Sequence, residues 1–352
     1  MFITGLGTAL PPNCYSQSEC WTALQSSGSF QKLTSRSQAI LKKVLLGKNG
    51  IATRHLAINP LQEVLDVSPD ALHRRFATHA PALATQAARK ALHAAGSRAA
   101  DMDAVIVSTC TGYLCPGLTS YVSERLGLRP DVLALDLVGQ GCGAALPNLA
   151  TGHALLASGH CRKALSICVE VCSAAFYLDD DPGVLISACL FGDGAGAAVL
   201  SHEPPQNGRS VRWKHFATAL SPARRDLLRF EQRGGLLRNI LTAQVPGLAA
   251  EHAGNTLKTA LRAHGIKKED IAAWIFHAGG RDVLLALKAR LELSEADLCW
   301  SGGILETCGN LSSPFVYFVL YAALNGGAPD GLWWMASFGA GFSSHGALLS
   351  VS

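Results

Sequence analysis

An internal repeat constrains the fold of this 352-residue chain more than any other feature. The stretch "FGDGAGAAVLS" (191–201) resembles "FGAGFSSHGALLS" (338–350), and "DAVIVSTCTG" (103–112) resembles "AAWIFHAGG" (272–280). Both pairs show an apolar strand next to a turn of small residues, and they occur in the same order. Two such matches indicate a duplicated chain, with the Pro-, Gly- and polar-rich stretch 201–213 as the seam.

Apolar, β-branched runs alternate with Ala- and Leu-rich runs along the chain. The predicted buried strands are "AVIVSTC" (104–110), "LALDL" (133–137), "ALSICVEV" (164–171) and "AGAAVLS" (195–201). The predicted helices are "ALATQAARKALHAAG" (82–96) and "LPNLATGHALLASG" (146–159). This alternation is typical of an α/β protein whose sheets are covered on both faces.

The duplication divides the chain into an N-terminal half, residues 1–205, and a C-terminal half, residues 206–352. Residues 13–80 hold few strand signals and predict a mobile helical insertion in the first half. Residues 229–248 predict a loop that leads into a helix.

The composition argues against several classes of function. Charged residues make up 16% of the chain, the formal net charge is +4 and no long Lys/Arg run occurs, so nothing indicates a nucleic-acid partner. No stretch of about twenty apolar residues predicts a membrane span, and the N-terminus lacks the pattern of a secretory signal. We therefore expect a cytoplasmic protein.

The eleven cysteines are expected to be reduced. The chain is large and has no secretory signal, and Cys168, Cys172 and Cys189 lie within apolar runs, as core cysteines do. Neither the cysteine pairs nor the twelve histidines show the spacing of a metal site. We expect no metal site.

Cys142 stands where a strand is predicted to turn into a helix. The run "LALDL" is followed by "VGQGCG", and an Ala- and Leu-rich helix comes next. Gly141 and Gly143 permit a sharp bend and a close approach by a substrate. The exposed amides and the positive end of the helix dipole favour a thiolate, so we expect a lowered thiol pKa and a nucleophile. A buried structural cysteine is the alternative.

Two further polar residues follow predicted strands in the second half. His277, in "WIFHAGG", is suited to hold the proton and balance the charge of a thiolate, with a core histidine as the alternative. Asn310, in "ETCGNLSSPF", lies between Gly309 and a predicted helix start at residues 311–313, with a helix cap as the alternative. Three polar residues beside glycines at strand ends, split across a duplicated chain, predict one shared active site.

The motifs "VGQGCGAAL", "FHAGG" and "CGNLSSP", in this order and spacing, resemble the Cys–His–Asn set of the type III polyketide synthases. These are the chalcone-synthase-like branch of the thiolase-fold condensing enzymes. "CLFGDGAGAAVL" (189–200) and "SFGAGF" (337–342) are similar to the same family, and the resemblance covers practically the whole chain. It implies a five-layered αβαβα thiolase fold, built from two duplicated halves, and a homodimer.

The resemblance also implies an iterative condensing enzyme. Cys142 would take the acyl group of a starter acyl-CoA, and His277, as an imidazolium, would stabilise the thiolate. His277 and Asn310 would donate hydrogen bonds to the thioester oxygen of malonyl-CoA as CO₂ leaves. Repeated extension and cyclisation would give a pyrone or resorcinol-type product, with no metal or redox cofactor.

Other positions are implied to contact substrate. Phe191 matches an aromatic gatekeeper between the CoA tunnel and the cavity. Lys48 and Arg54 match positions that bind the CoA phosphates, with a solvated surface pair as the alternative. Cys115 falls where the family passes a side chain across the dimer interface. The remaining implied positions are Cys110, Ala175, Gly279 and Gly339.

The chain departs from the family's pattern in several places. Ala278 replaces the usual Pro after the histidine, and the closing loop, residues 337–341, has lost two backbone constraints. The second gatekeeper aromatic is not evident, since its position aligns to Arg238 or Asn239. A small Ala175 favours a longer or bulkier starter.

Two other functions remain open on the sequence. One is a ketoacyl-ACP synthase III-like enzyme that performs a single condensation with an acyl-carrier protein, although "FHAGG" argues against it. The other is a non-catalytic interaction subunit of the same fold, which retention of the Cys–His–Asn set argues against.

Overall fold

The structure, a computed structural model, describes residues 1–352. The strands are β1 (Phe2–Ala9), β2 (Cys14–Ser16), β3 (Thr53–His55), β4 (Ala104–Ser108), β5 (Leu133–Leu137), β6 (Lys163–Glu170), β7 (Gly194–Ser201), β8 (Val211–Arg225), β9 (Leu228–Arg233), β10 (Leu236–Leu241), β11 (Ile271–Phe276), β12 (Gly331–Gly339) and β13 (Gly341–Val351). The helices are α1 (Gln17–Gln25), α2 (Gly28–Gln31), α3 (Ser35–Leu46), α4 (Pro69–Ala94), α5 (Leu118–Leu126), α6 (Ala145–Ala157), α7 (Pro182–Leu190), α8 (Val245–His264), α9 (Arg281–Leu291), α10 (Cys299–Cys308) and α11 (Phe315–Asn325). No helix combines the length and the apolar character that a bilayer crossing requires.

Nine strands form one mixed sheet whose strand order reveals the duplication. The order is β11-β12-β13-β8-β1-β7-β6-β4-β5. On one side β4 lies parallel to β6, and β7 is antiparallel to both β6 and β1. On the other side β11 lies parallel to β12, and β13 is antiparallel to both β12 and β8. The two sides have the same order and directions, mirrored about the junction of β1 with β8, so the predicted duplication is confirmed.

The two repeated sequences occupy corresponding strands of this mirrored sheet. The first pair runs into β7 and β13, and the second pair forms β4 and β11. At the junction only two residue pairs join β1 to β8, namely Phe2 with Arg212 and Ile3 with Val211. The sheet is therefore two half-sheets that meet at their edges.

Two helices lie between the half-sheets, and others cover the outer faces. The middle helix α6 packs against β4 and β6 of the first half and against β12 and β13 of the second. The middle helix α11 packs against β1 and β7 and against β11 and β12. Helices α4 and α5 cover the first half-sheet from outside, while α8, backed by α9, covers the second. The predicted five-layered αβαβα architecture is confirmed, and its central strands are buried because both faces are covered.

A buried polar network links the two middle helices to the first half-sheet. Asn148 on α6 donates through Nδ2 to the carbonyl oxygens of Ile106 and Ile167, at 3.3 and 3.0 Å. Its Oδ1 accepts from the Ser166 hydroxyl at 2.6 Å, and that hydroxyl lies 2.7 Å from the Tyr317 hydroxyl on α11. All of these side chains are fully buried, so each hydrogen bond replaces one that water supplied in the unfolded chain.

The predicted start of one helix is wrong. Helix α4 begins at Pro69, not at residue 82, and continues through Pro81. Its start follows a recognisable signal, because Ser68 caps the helix and Asp70 lies in the first turn. The region 13–80 also contains the short strands β2 and β3 in addition to its helices.

The predicted loop within residues 229–248 is a β-hairpin. Strands β9 and β10 pair in register, and Gly234 and Gly235 form the two-residue turn with φ angles of 59° and 79°. Positive φ at both turn positions is what a type I′ hairpin requires, and it explains the paired glycines. Strand β5 was predicted to be buried, but it is the outermost strand and is largely exposed in the single chain.

We expect Tyr317→Phe to lower the free energy of unfolding by about 1 kcal/mol, since it removes one hydrogen bond. The loss is small because the Ser166 hydroxyl still donates to Asn148 Oδ1. Asn148→Ala should cost about 3 kcal/mol, since it removes the centre of the network and leaves a cavity. Urea unfolding of both variants tests the difference. Equal losses would contradict the central position of Asn148.

Candidate active site

Cys142 lies in a turn that the second half of the chain presses against. It occupies a short 3₁₀ turn, Gly141–Gly143, directly before α6, as the sequence predicted. Gly141 has a φ of 57°, and a Cβ atom there would lie 3.0 Å from the Ala340 nitrogen. A Cβ atom on Gly143 would lie 3.0 Å from the nitrogen of Gly339. Both glycines are therefore needed for the close contact between this turn and the end of β12.

A chain of hydrogen bonds leads from the Cys142 sulfur to Asn310. The Ser312 hydroxyl donates to Cys142 Sγ at 3.1 Å, and the Ser312 backbone N–H donates to Asn310 Oδ1 at 2.8 Å. Asn310 Nδ2 in turn donates to the carbonyl of Gly279 at 3.1 Å. Ser312 itself has a φ of 60°, a conformation that the Asn310 side chain stabilises by closing a turn over it.

Ser312 is not among the site residues that the sequence predicted. The stretch "GNLSSP" does indicate the turn that places Ser312. An asparagine side chain often accepts a hydrogen bond from the backbone N–H two residues later, which forms an Asx turn. The helix expected at residues 311–313 begins later, at Phe315. The residues between form the turn that aims Ser312 at the sulfur.

His277 lies beside this chain of hydrogen bonds. It follows β11, and its backbone N–H donates to the Ala336 carbonyl at 2.9 Å. A Cβ atom on Gly279 would lie 4.0 Å from His277 Nε2, and the Gly279 carbonyl accepts from Asn310 Nδ2. Gly279 is therefore next to both the imidazole and the amide. The imidazole stands edge-on to Phe315, is 3% exposed, and its Nδ1 has no hydrogen-bond partner. The imidazole is not hydrogen-bonded to the Cys142 sulfur.

Burial dominates the protonation of both groups. It raises the pKa of the Cys142 thiol to about 12, although the Ser312 hydrogen bond acts in the opposite direction. It lowers the pKa of His277 to about 3. The expectation that the helix terminus lowers the thiol pKa is wrong for this structure, because desolvation of the thiolate outweighs the turn's amides. Both shifts favour a thiol and a neutral imidazole over an ion pair in this structure.

Glu170 anchors the layer behind Ser312. Its carboxylate accepts from the N–H groups of Cys110 and Thr111 at 3.0 and 3.1 Å and from the Ser313 hydroxyl at 2.6 Å. Burial raises the pKa of Glu170, and these donors oppose the rise. The Cys110 thiol donates to the same carboxylate at 3.2 Å. Cys110 was expected to line the cavity, but this contact holds its side chain behind Ser312.

A large cavity opens at Cys142. Of its 28 lining residues 20 are hydrophobic, so most of its wall offers no hydrogen bonds. The predicted residues Ala175 and Phe191 line it together with Ser312. Gly279 and Gly339 do not line it; they support the groups around it.

The position of the second gatekeeper is occupied by a polar residue. Asn239 lines the cavity from β10, and its cross-strand neighbour on β9 is Phe230, which also lines it. An aromatic ring is therefore present one strand away from the expected position. Arg238 points elsewhere and forms ion pairs with Asp179 at 2.6 Å and Glu231 at 2.9 Å.

The predicted pair Lys48 and Arg54 is separated. Lys48 lines a second, open pocket, where Arg281 donates to the Lys48 carbonyl at 2.6 Å. Arg54 is 6% exposed, and its Nη1 donates to the carbonyls of Ala188 and Phe191, both at 3.0 Å. The guanidinium of Arg54 is therefore directed into the protein, away from the pocket that contains Lys48.

Residues 1–204 match the family described as chalcone and stilbene synthases, N-terminal domain, and residues 228–347 match the C-terminal domain of the same family. The 1,3,6,8-tetrahydroxynaphthalene synthase of Streptomyces peucetius subsp. caesius is 33% identical, with 99% of this chain and 92% of that protein covered. The alpha-pyrone synthesis polyketide synthase-like Pks18 of Mycobacterium tuberculosis (strain ATCC 25618 / H37Rv) is 28% identical, with 78% and 72% covered.

The fold is also found among solved structures. The 1,3,6,8-tetrahydroxynaphthalene synthase from Streptomyces coelicolor A3(2), described as a bacterial type III polyketide synthase, superposes with a TM-score of 0.89 at 22% identity, and 99% of both chains is covered. PKS-I from the brown alga Ectocarpus siliculosus superposes with a TM-score of 0.88 at 25% identity, with 99% and 97% covered. These relatives do not favour the alternative of a ketoacyl-ACP synthase III-like enzyme. The chain belongs to the chalcone and stilbene synthase family and is a type III polyketide synthase.

Proposed function

We propose that this enzyme transfers an acyl group from acyl-CoA to Cys142 and extends it repeatedly with malonyl-CoA. The observation that supports this most is the hydrogen-bonded chain Cys142–Ser312–Asn310, which ends at the Gly279 carbonyl, two residues after His277. Cys142 and Ser312 line a largely apolar cavity. It joins a sulfur nucleophile to the Asn310 amide, which is able to donate a hydrogen bond to a thioester oxygen. The extended chain then cyclises to a pyrone or resorcinol-type ring.

Loading begins from the neutral pair. The Cys142 thiol gives its proton to the His277 imidazole, so that thiolate and imidazolium form together and the net charge of the site stays zero. The pair is not hydrogen-bonded in the resting site, so a side-chain rotation must first bring the sulfur to the ring. The thiolate attacks the thioester carbonyl, the carbon–sulfur bond to CoA breaks, and CoA leaves with a proton.

Extension depends on the two hydrogen-bond donors. Asn310 uses one N–H on the Gly279 carbonyl, which leaves its second N–H for the thioester oxygen of malonyl-CoA. His277 Nε2–H is the second donor. As CO₂ leaves, its bonding electron pair forms an enolate whose charge lies on that oxygen, and the enolate carbon attacks the acyl-Cys142 carbonyl. The carbon–sulfur bond to Cys142 breaks, so Cys142 is released as a thiolate and the extended chain is a thioester of CoA. Attack by Cys142 on that thioester reloads the chain and releases CoA for the next round. Loss of CO₂ supplies the electron pair, so the reaction requires no metal or redox cofactor.

We assign CoA binding to the pocket that contains Lys48 and Arg281. Both side chains are cationic, Arg281 opens helix α9 at its positive end, and backbone from residues 47–52 forms the rim. This pocket replaces the predicted pair, since Arg54 is directed inward. The eleven free cysteines suit a reducing compartment, so we also infer that the enzyme works in the cytoplasm.

We infer a homodimer that forms along the free edge of β5. This strand pairs only with β4. Its first residue, Leu133, is 41% exposed, and Val138, directly after its end, is 58% exposed. Tyr113, which is 71% exposed, and the exposed Cys115 lie in the loop after the neighbouring strand. An exposed apolar sheet edge is a ready surface for pairing with a second copy.

The condensation is tested with acyl-CoA and ¹³C-labelled malonyl-CoA. Cys142→Ala should form neither acyl-enzyme nor product. His277→Ala and Asn310→Ala should lower the rate of CO₂ release by about 10²–10³, because each removes one donor to the developing enolate. Product that requires an acyl-carrier protein and stops after one extension would instead support the ketoacyl-ACP synthase III-like alternative.

The resting thiol is tested by alkylation. With a Cys142 pKa of about 12, its reaction with iodoacetamide should accelerate steadily as the pH rises through the neutral and alkaline range. Ser312→Ala should react more slowly at each pH, since it loses the hydrogen bond that lowers this pKa. Peptide mass spectrometry separates Cys142 from the other cysteines. A plateau below about pH 8 would show that a thiolate already exists in the resting site and would refute the neutral pair.

The dimer is tested by light scattering after gel filtration. The double variant Leu133→Lys/Val138→Lys should be a monomer, because it places two charges on the pairing edge. Leu285→Lys, a change of the same kind at a 45% exposed position on α9, is the control and should remain dimeric. A double variant with the mass of a dimer would rule out this interface.

A further inference from the structure

The hairpin of β9 and β10 directs one of its two faces to the cavity at Cys142. Leu228 and Phe230 on β9 line this cavity, and so does Asn239 on β10. Residues that are two apart along a strand, or paired across two strands, have side chains on the same face. Because Asn239 is the cross-strand partner of Phe230, its side chain lies on the cavity face, among apolar neighbours.

The opposite face of the hairpin carries charges that fix it to the rest of the protein. Arg238, the residue before Asn239, is buried. Its guanidinium forms ion pairs with Asp179 at 2.6 Å, Glu231 at 2.9 Å and Asp181 at 3.2 Å. Asp181 is also the N-cap of helix α7. The ion pairs therefore tie β10 to the start of α7 and hold the backbone that carries the Asn239 amide.

The Asn239 amide has no hydrogen-bond partner within the protein. It is 9% exposed and is the only carboxamide among the side chains that line the cavity. The Ser173 hydroxyl, by contrast, already donates to Asp193 at 2.6 Å. The Tyr177 phenol also lacks a partner, but it is only half-buried. A buried amide without a partner is costly once substrate displaces water from it, so the substrate must supply a polar atom at this place.

We propose that the Asn239 amide donates a hydrogen bond to a keto oxygen of the growing polyketide and so favours further extension over early release. This inference rests on the proposed function. The growing chain carries a carbonyl at every second carbon, and a keto oxygen accepts hydrogen bonds without donating any, which matches the Nδ2–H groups of Asn239. The apolar side chains of Leu228 and Phe230 beside it offer that oxygen no donor. Asn239 is thus a specificity-determining residue.

The number of extensions in the products measures this contact. The enzyme is supplied with acetyl-, hexanoyl- or decanoyl-CoA and ¹³C-labelled malonyl-CoA, and mass spectrometry assigns the number of extensions in each product. In Asn239→Leu the ratio of the longest to the shortest product should fall about fivefold, the usual effect of losing one hydrogen bond. Asn239→Asp has the same shape but no N–H, so it should shift the ratio in the same direction.

Gln232→Leu is the matched control. It removes a carboxamide from the same face of the hairpin, at an exposed position that does not line the cavity. The ratio of long to short products should stay at the wild-type value.

The outcomes separate this inference from the proposed function. A ratio that Asn239→Leu leaves unchanged would overturn the contact with the keto oxygen, and a rise in the KM for malonyl-CoA in its place would assign the amide to the CoA arm. A ratio that changes in Asn239→Leu but not in Asn239→Asp would show that shape acts and not the N–H, which also overturns the inference. Absence of product from the wild type with every starter would refute the proposed function itself.

Discussion

The two halves of the molecule are joined at the active site by a pair of backbone hydrogen bonds. The Asn310 N–H donates to the Leu190 carbonyl at 2.8 Å, and the Gly192 N–H donates to the Asn310 carbonyl at 3.0 Å. This short bridge fixes the backbone of Asn310 against that of Phe191, so the amide of one half and the aromatic ring of the other cannot move apart independently. Ser312, and through it the Cys142 sulfur, depends on this placement.

Burial sets the chemical character of the site. The fold buries an imidazole and an amide, leaves the Cys142 thiol half-buried at the cavity wall, and gives the sulfur and the amide hydrogen-bond partners. Charge on either member of the Cys142–His277 pair alone is costly there, whereas opposite charges formed together stabilise each other. Such a site favours a reaction in which a proton moves between the two groups and no net charge enters or leaves.

The sequence predicted the features that rest on local patterns. Local patterns predicted the glycine-flanked turn at residues 141–143, the strand ends at 137 and 276, and the repeated motifs. Each of these features follows from residue types that are neighbours in the sequence. The thiol pKa could not be predicted, because it depends on which atoms cover Cys142 from the other half. The inward direction of Arg54 depends on long-range packing in the same way. The hairpin at Gly234 and Gly235 could also have been predicted, because a Gly-Gly pair between two strands favours a two-residue turn.

The mirrored strand order shows that two equivalent halves contribute different residues to one active site. Helices α6 and α11 are counterparts, yet a nucleophile stands before one and the Asn310 turn before the other. In a symmetric pair of identical chains, any such residue would occur twice, once on each side of the axis. Fusion into one polypeptide releases each copy from matching its twin. One copy is then free to specialise in forming the covalent bond and the other in stabilising the enolate.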